Sequence, residues 1–118
     1  MEIPAYFGEQ EDVTWHLAPN WKDALRLAWA REQHELAYKV HLQLLQHKNS
    51  IPDLAEAIGQ RRENLWQKLT GRIPAQQEDF VLWTWLTGER RRTYKPEDLF
   101  GEGFVIVPKF PFSRRRAR

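Results

Sequence analysis

Apolar residues recur at helical spacing from residue 21 to residue 87, and the pattern changes on either side of that span. From Trp21 to about Lys48 the chain holds no proline or glycine and is rich in Ala, Leu, Arg, Glu and Gln. Trp21, Leu25, Ala28 and Trp29 share one helical face, and Leu36, Val40 and Leu44 continue it at four-residue steps. That pattern predicts amphipathic helix, as one long element or two joined, with Asn20 as its N-cap. Ser50-Ile-Pro-Asp53 sets a capping hydroxyl three residues before an acid, with proline in the first turn, and so predicts a new helix start. This helix runs from Ile51 to Ile58 and stops at Gly59, which tolerates the left-handed conformation favoured just past a helix end. A second short helix is expected from about Arg62 to Thr70, ending at Gly71. After GRIP (71–74), residues 75–87 predict another, with Phe80, Trp83 and Leu86 or Thr87 inward and Gly88 at its end.

The flanks read differently. Residues 1–20 contain Pro4, Gly8 and Pro19 and show no helical period, although VTWHL (13–17) alternates as a short strand would. Phe104-Val-Ile-Val107, bounded by Gly103 and Pro108, predicts a second strand, which pairs with 13–17 or with a second chain. The expected fold is therefore all-α with a small terminal β addition. Its parts are an N-terminal extension (1–20), a helical domain (21–90) and a C-terminal extension with an Arg-rich tail (91–118).

A length of 118 residues, 42% hydrophobic and 29% charged, suits one globular domain with some decoration. The absence of cysteine excludes disulfide frameworks and thiolate metal sites. No apolar run approaches the roughly 20 residues of a membrane helix, and the acidic start is unlike a signal peptide. A cytoplasmic, nucleoid-associated protein without membrane contact is the expectation. Charge is unevenly spread: residues 1–20 carry −4, whereas residues 89–118 carry +5 within an overall +2. A basic end suits a polyanionic partner, and equally a solubilising tail or one that pairs with the acidic N-terminus.

Two short helices joined by three or four residues with glycine at the turn outline a helix-turn-helix. LAEAIG, then Leu65, KLTGR and a helix containing EDFVLW resemble the lambda-repressor-like (Cro-like) helix-turn-helix DNA-binding domains over about residues 35–88. The resemblance implies a five-helix domain if the long N-terminal run supplies the first helix. It makes Leu54, Ala55 and Ile58 the packing residues of the first motif helix. Gly59 becomes the turn glycine, and Leu65 and Leu69 the inner face of the recognition helix. It does not extend to residues 1–20 or 93–118.

By that resemblance Arg62, Glu63, Trp66 and Gln67, with Arg61 beside them, are the base-edge readers. Arg62 suits guanine, Gln67 adenine and Glu63 a cytosine amino group, each good pair contributing about 1–3 kcal/mol of discrimination. Asn64, Lys68, Thr70 and Arg72 are the expected phosphate contacts. The alternative for Arg61, Arg62 and Glu63 is a solvated helix start with local ion pairs.

Four positions depart from the family pattern: Gln60 replaces a small apolar residue, Arg61 a Ser or Thr cap, Lys68 an apolar residue and Trp66 a small or polar one. Trp66 either stacks on sugars or a thymine methyl, or folds inward while Lys68 reaches a phosphate. Leu82 and Trp85 stand where charged residues are common, and an apolar patch there demands a cover. A homodimer is expected, joined through Leu82 and Trp85 or through Val105 and Val107 of the 104–107 strand. Twofold symmetry then implies half-sites about one helical turn apart. Arg90, Arg91, Arg92, Arg114, Arg115 and Arg116 supply phosphate or minor-groove contacts.

Catalytic chemistry is not expected. His34-Glu35 has its next histidine seven residues on, not four, and His34, His41 and His47 read as helix-surface histidines, with His16 apart. Ser50 and Ser113 lie at a cap and in the basic tail, outside any activating motif, and no glycine loop cradles phosphate. Neither cofactor nor metal is anticipated. The expectation is a prokaryotic or phage transcriptional repressor binding double-stranded DNA. Its rivals are an antitoxin or accessory protein with a protein partner, and an architectural factor in replication or recombination.

Overall fold

The Asn20 side chain accepts the Asp23 N–H at 2.9 Å and opens α1, Trp21–Gln46, a single helix of 26 residues. At 1.5 Å per residue it is a rod about 39 Å long. The computed structural model describes residues 3–89 and 96–101. Four further helices follow: α2 (Ile51–Ile58), α3 (Arg62–Leu69), α4 (Gln77–Thr87) and the five-residue α5 (Pro96–Phe100). The chain is helical, and no helix among the described residues is long and apolar enough to cross a membrane. Only α2 to α4 and the second half of α1 fall within residues 35–88, and α5 lies beyond them.

The capping signals act as read. Ser50 N–H donates to Asp53 Oδ2 at 2.8 Å while Asp53 N–H donates to Ser50 Oγ at 3.3 Å, a reciprocal capping box. Gly59 takes φ +73°, and the following Gln60 N–H returns to the Ala55 carbonyl at 2.9 Å. Chain reversal between α2 and α3 thus occupies only Gly59, Gln60 and Arg61.

One hydrophobic core joins α1, α2, α3 and α4 through Leu36, Val40, Leu54, Leu65, Leu69, Phe80 and Trp83. Phe7 of the N-terminal segment is buried in the same core. A second cluster sits at the start of α1, where Ala24 and Leu27 meet Leu99 of α5. This corrects the predicted face at Trp21 and Leu25: Leu25 is 67% exposed and Trp21 is exposed, while Ala24, Leu27 and Ala30 are buried; Ala28 and Trp29 are half-buried against the core as expected. Small alanines let α5 and the N-terminal segment approach closely, and that contact decides which side faces inward. Trp21 instead meets the Phe100 ring edge-on at 4.9 Å.

Residues 13–17 form no strand. The alternation holds only from Val13 to His16, with Val13 and Trp15 half-buried and Thr14 and His16 exposed; it fails at Leu17, which is 63% exposed, and the segment lies against helices and not against another strand. The Trp15 ring meets those of Phe7 and His34, and the Ala18 N–H donates to the Leu99 carbonyl at 2.8 Å. The predicted 104–107 strand lies outside the described residues.

Gln33 of α1 fastens the loop after α3. Its Nε2 donates to the carbonyls of Lys68 (2.6 Å) and Ile73 (3.0 Å), and its Oε1 accepts the Ala75 N–H at 2.9 Å. Trp29 Nε1 donates to the Ala75 carbonyl at 2.9 Å. Every polar atom of this buried amide used here has a backbone partner, which is what makes its burial tolerable.

Candidate nucleic-acid interface

Leu65 and Leu69 are fully buried on the inner side of α3. Helical geometry then turns Arg62, Glu63 and Trp66 outward, and all three are exposed together with Arg61 and Arg72. Asn64 and Gln67 are half-buried at the edges of this face. Three guanidiniums stand here with the Glu63 carboxylate, and Glu9 of the N-terminal segment lines the groove beside Trp66 and Arg72. Among the described residues the side chains of Arg61, Arg62 and Glu63 make no ion pair within the chain.

Trp66 is 40% exposed, so it does not fold inward. The Arg72 guanidinium carbon lies 4.3 Å from its ring centroid, a cation–π contact that holds a charge at the C-terminal end of α3.

Two expected phosphate contacts turn the other way. Lys68 is buried, its Nζ 2.9 Å from Asp79 Oδ2 and 3.2 Å from Asp79 Oδ1. Gln60 Nε2 also reaches Asp79 Oδ1, at 3.4 Å, and Asp79 Oδ2 accepts the Gln76 N–H at 2.7 Å to cap α4. Gln60, in the turn before α3, and Lys68, within α3, therefore converge on one buried acid. Lys68 ties α3 to α4 and is not available to a phosphate. Thr70 is buried too, and its hydroxyl donates to the Trp66 carbonyl at 2.8 Å.

The N-terminal segment borders this face, which sequence reasoning missed. Phe7 is buried, and Gly8, at φ +73°, lies so close to α3 that a Cβ there would collide with the Leu69 carbonyl. Tyr6 is exposed, and with Ile3 and Pro4 it forms one wall of a groove of about 350 Å³ whose other wall is Trp66, Thr70 and Arg72. The run YFG carried the only local signal: two aromatics before a glycine in a stretch without helical period.

His34 secures that segment. It is 3% exposed, not a surface histidine. Its Nδ1 accepts the Gly8 N–H at 2.9 Å and its Nε2 lies 2.9 Å from the Glu11 carbonyl. A carbonyl only accepts, so Nε2 carries the proton and the ring is neutral. Burial pushes its pKa below the ordinary 6.5, against the raising effects of the Glu11 carbonyl, Glu35 and Asp12; Arg31 adds to the lowering.

On α4, Leu82 is half-buried against the core and not part of an outer patch. The helix packs on α1, and its inner side takes in Leu82 beside Phe80 and Trp83. Trp85 is 78% exposed, with Val81 exposed on the same helix. Arg90, Arg91, Arg92, Val105, Val107, Arg114, Arg115 and Arg116 lie outside the described residues. No family model, curated protein or solved structure matches the chain.

Proposed function

We propose that this protein is a sequence-specific double-stranded DNA-binding regulator of transcription, a repressor, that lays α3 in the major groove. The observation that carries the reading is the division of α3. Its leucines are sealed in the core, while Arg61, Arg62, Glu63, Trp66 and Gln67 present donors, an acceptor and an aromatic ring outward over a three-residue turn from α2. The major groove admits an α-helix and displays donor and acceptor patterns that such side chains distinguish. Arg72, held on Trp66, is the first phosphate anchor, with Asn64 at the edge. Lys68 and Thr70 take no part. The arginine groups at 90–92 and 114–116 add counterion-releasing contacts.

Mobility shift across a salt series tests the reading, using a duplex enriched from a random library and its scrambled counterpart. Specific binding exceeds non-specific by at least roughly a thousandfold. Equal affinity for all duplexes would point to an architectural DNA-binding factor.

The exposure of Trp85 favours a second statement about assembly. An indole open to solvent beside Val81 is an unusual expense of apolar surface, and a second copy of the chain is the cover that matches a twofold operator. A stable complex with a different protein and no affinity for DNA would favour the antitoxin or accessory-protein reading.

A further inference from the structure

On the outer side of α3 the Trp66 indole, Ile51 and Pro52 of α2, and the side chains of Arg62 and Glu63 line a recess of about 440 Å³. It is separate from the groove that Trp66 shares with Arg72 and the N-terminal segment. Its floor is apolar, and its two charged walls carry opposite signs. Arg62 on its wall and the adjoining Arg61 are exposed, which suits a polyanion and not a free apolar molecule.

We infer that this recess seats the C5-methyl group of a thymine in the major groove and so makes Trp66 and Pro52 specificity-determining residues. The inference rests on the DNA-binding reading above. Thymine is the one standard base that projects an apolar group into that groove. A T·A pair presents four features there, the adenine N7 acceptor among them, and three bear on the recess: the methyl, the thymine O4 acceptor and the adenine N6 amino donor. The recess holds a complement to each, namely the Trp66–Ile51–Pro52 floor, the Arg62 donors and the Glu63 acceptor. A G·C pair offers no methyl for the floor. The Arg72 guanidinium stacked on Trp66 restrains the indole, so the floor is ordered before DNA arrives.

The test uses duplexes enriched by the full chain from a random library, re-synthesised with deoxyuridine replacing thymidine at one position at a time. The change deletes one methyl and leaves every hydrogen-bonding group in place. Burial of one methyl corresponds to about a fourfold change in affinity. One position per half-site is expected to lose about that factor with the wild-type protein. Trp66→Ala is expected to bind both forms equally, whatever its overall affinity. Pro52→Ser, an exposed change at the helix start, gives a second reading of the same ratio should Trp66→Ala fail to fold.

Wild-type protein that binds every uracil duplex as tightly as its thymine parent, while still rejecting scrambled DNA, overturns the thymine seat and leaves the repressor reading standing. A methyl effect seen only with 5-methylcytosine overturns it likewise. Failure to enrich any duplex overturns both.

Discussion

The Lys68 ammonium and the Asp79 carboxylate meet at 2.9 Å with their side chains 11% and 4% exposed, and this pair couples the candidate recognition helix to α4. Removing one partner leaves the other charge buried and unpaired. Lys68→Met is expected to cost about 3–5 kcal/mol by urea unfolding. Asp79→Asn also weakens the α4 cap, whereas the double variant Lys68→Met/Asp79→Asn recovers part of the loss. Additive single effects would show that the pair does not interact as a unit.

The neutral His34 ring predicts a stability that depends on pH. Its folded pKa is lowered, so the unfolded chain binds the proton first. The contribution is complete above about pH 6.5 and is lost as pH falls from there through the lower folded value. His34→Gln removes this part of the dependence, so wild type and variant converge toward acid. A free-energy difference that stays constant from about pH 7.5 to 5 would contradict the assignment.

Gly8 and Gly59 share φ +73° but differ in surroundings. Nothing lies within 4 Å of a Cβ built at Gly59, so Gly59→Ala is expected to cost only the left-handed backbone term of about 1–2 kcal/mol. At Gly8 the Leu69 carbonyl blocks the same atom, and Gly8→Ala is expected to be clearly worse. Thermal melts of the two variants side by side decide it.

Base and phosphate roles separate by salt. Arg62→Ala is expected to lose about 1–3 kcal/mol on the preferred duplex and to relax preference at one base position. Arg72→Ala is expected to weaken all sequences alike and to reduce the log–log salt slope by about 0.9. Titrations at several salt concentrations distinguish the two patterns.

Trp85→Ser tests assembly without touching the core. Sedimentation is expected to shift from dimer to monomer while the melting temperature at fixed concentration falls only by the linkage term. An unchanged sedimentation profile would remove this face from the interface.

Features governed by neighbours along the chain were legible in the sequence. The caps at Asn20 and Ser50–Asp53, the glycine stops and the inward Leu65 and Leu69 all follow from spacing and local hydrogen bonding. Features set by distant partners were not. The buried face at the start of α1 depends on Leu99, and the inward turn of Lys68 depends on an acid on another helix. His34 reads as a surface histidine until Gly8 and Glu11 close over it. The alternation at 13–16 reports which side chains are covered but not what covers them, and it fails at Leu17, which is exposed. For the candidate interface, the outward set at 61, 62, 63 and 66 follows from periodicity, whereas the Arg72–Trp66 stack and the neighbouring Tyr6 required the tertiary structure.

Gln33 shows how narrow a structural tolerance can be when size is not the criterion. Glutamate has nearly the same outline, yet it would turn an acceptor toward the carbonyls of Lys68 and Ile73, where the amide now gives hydrogen atoms. The span from the end of α3 to Ala75 would lose two of its ties to α1 through repulsion alone, with no change in volume, and would keep only the Ala75 N–H contact and the Trp29 bond. At this position the chain discriminates between two side chains of one shape by the direction of their dipoles.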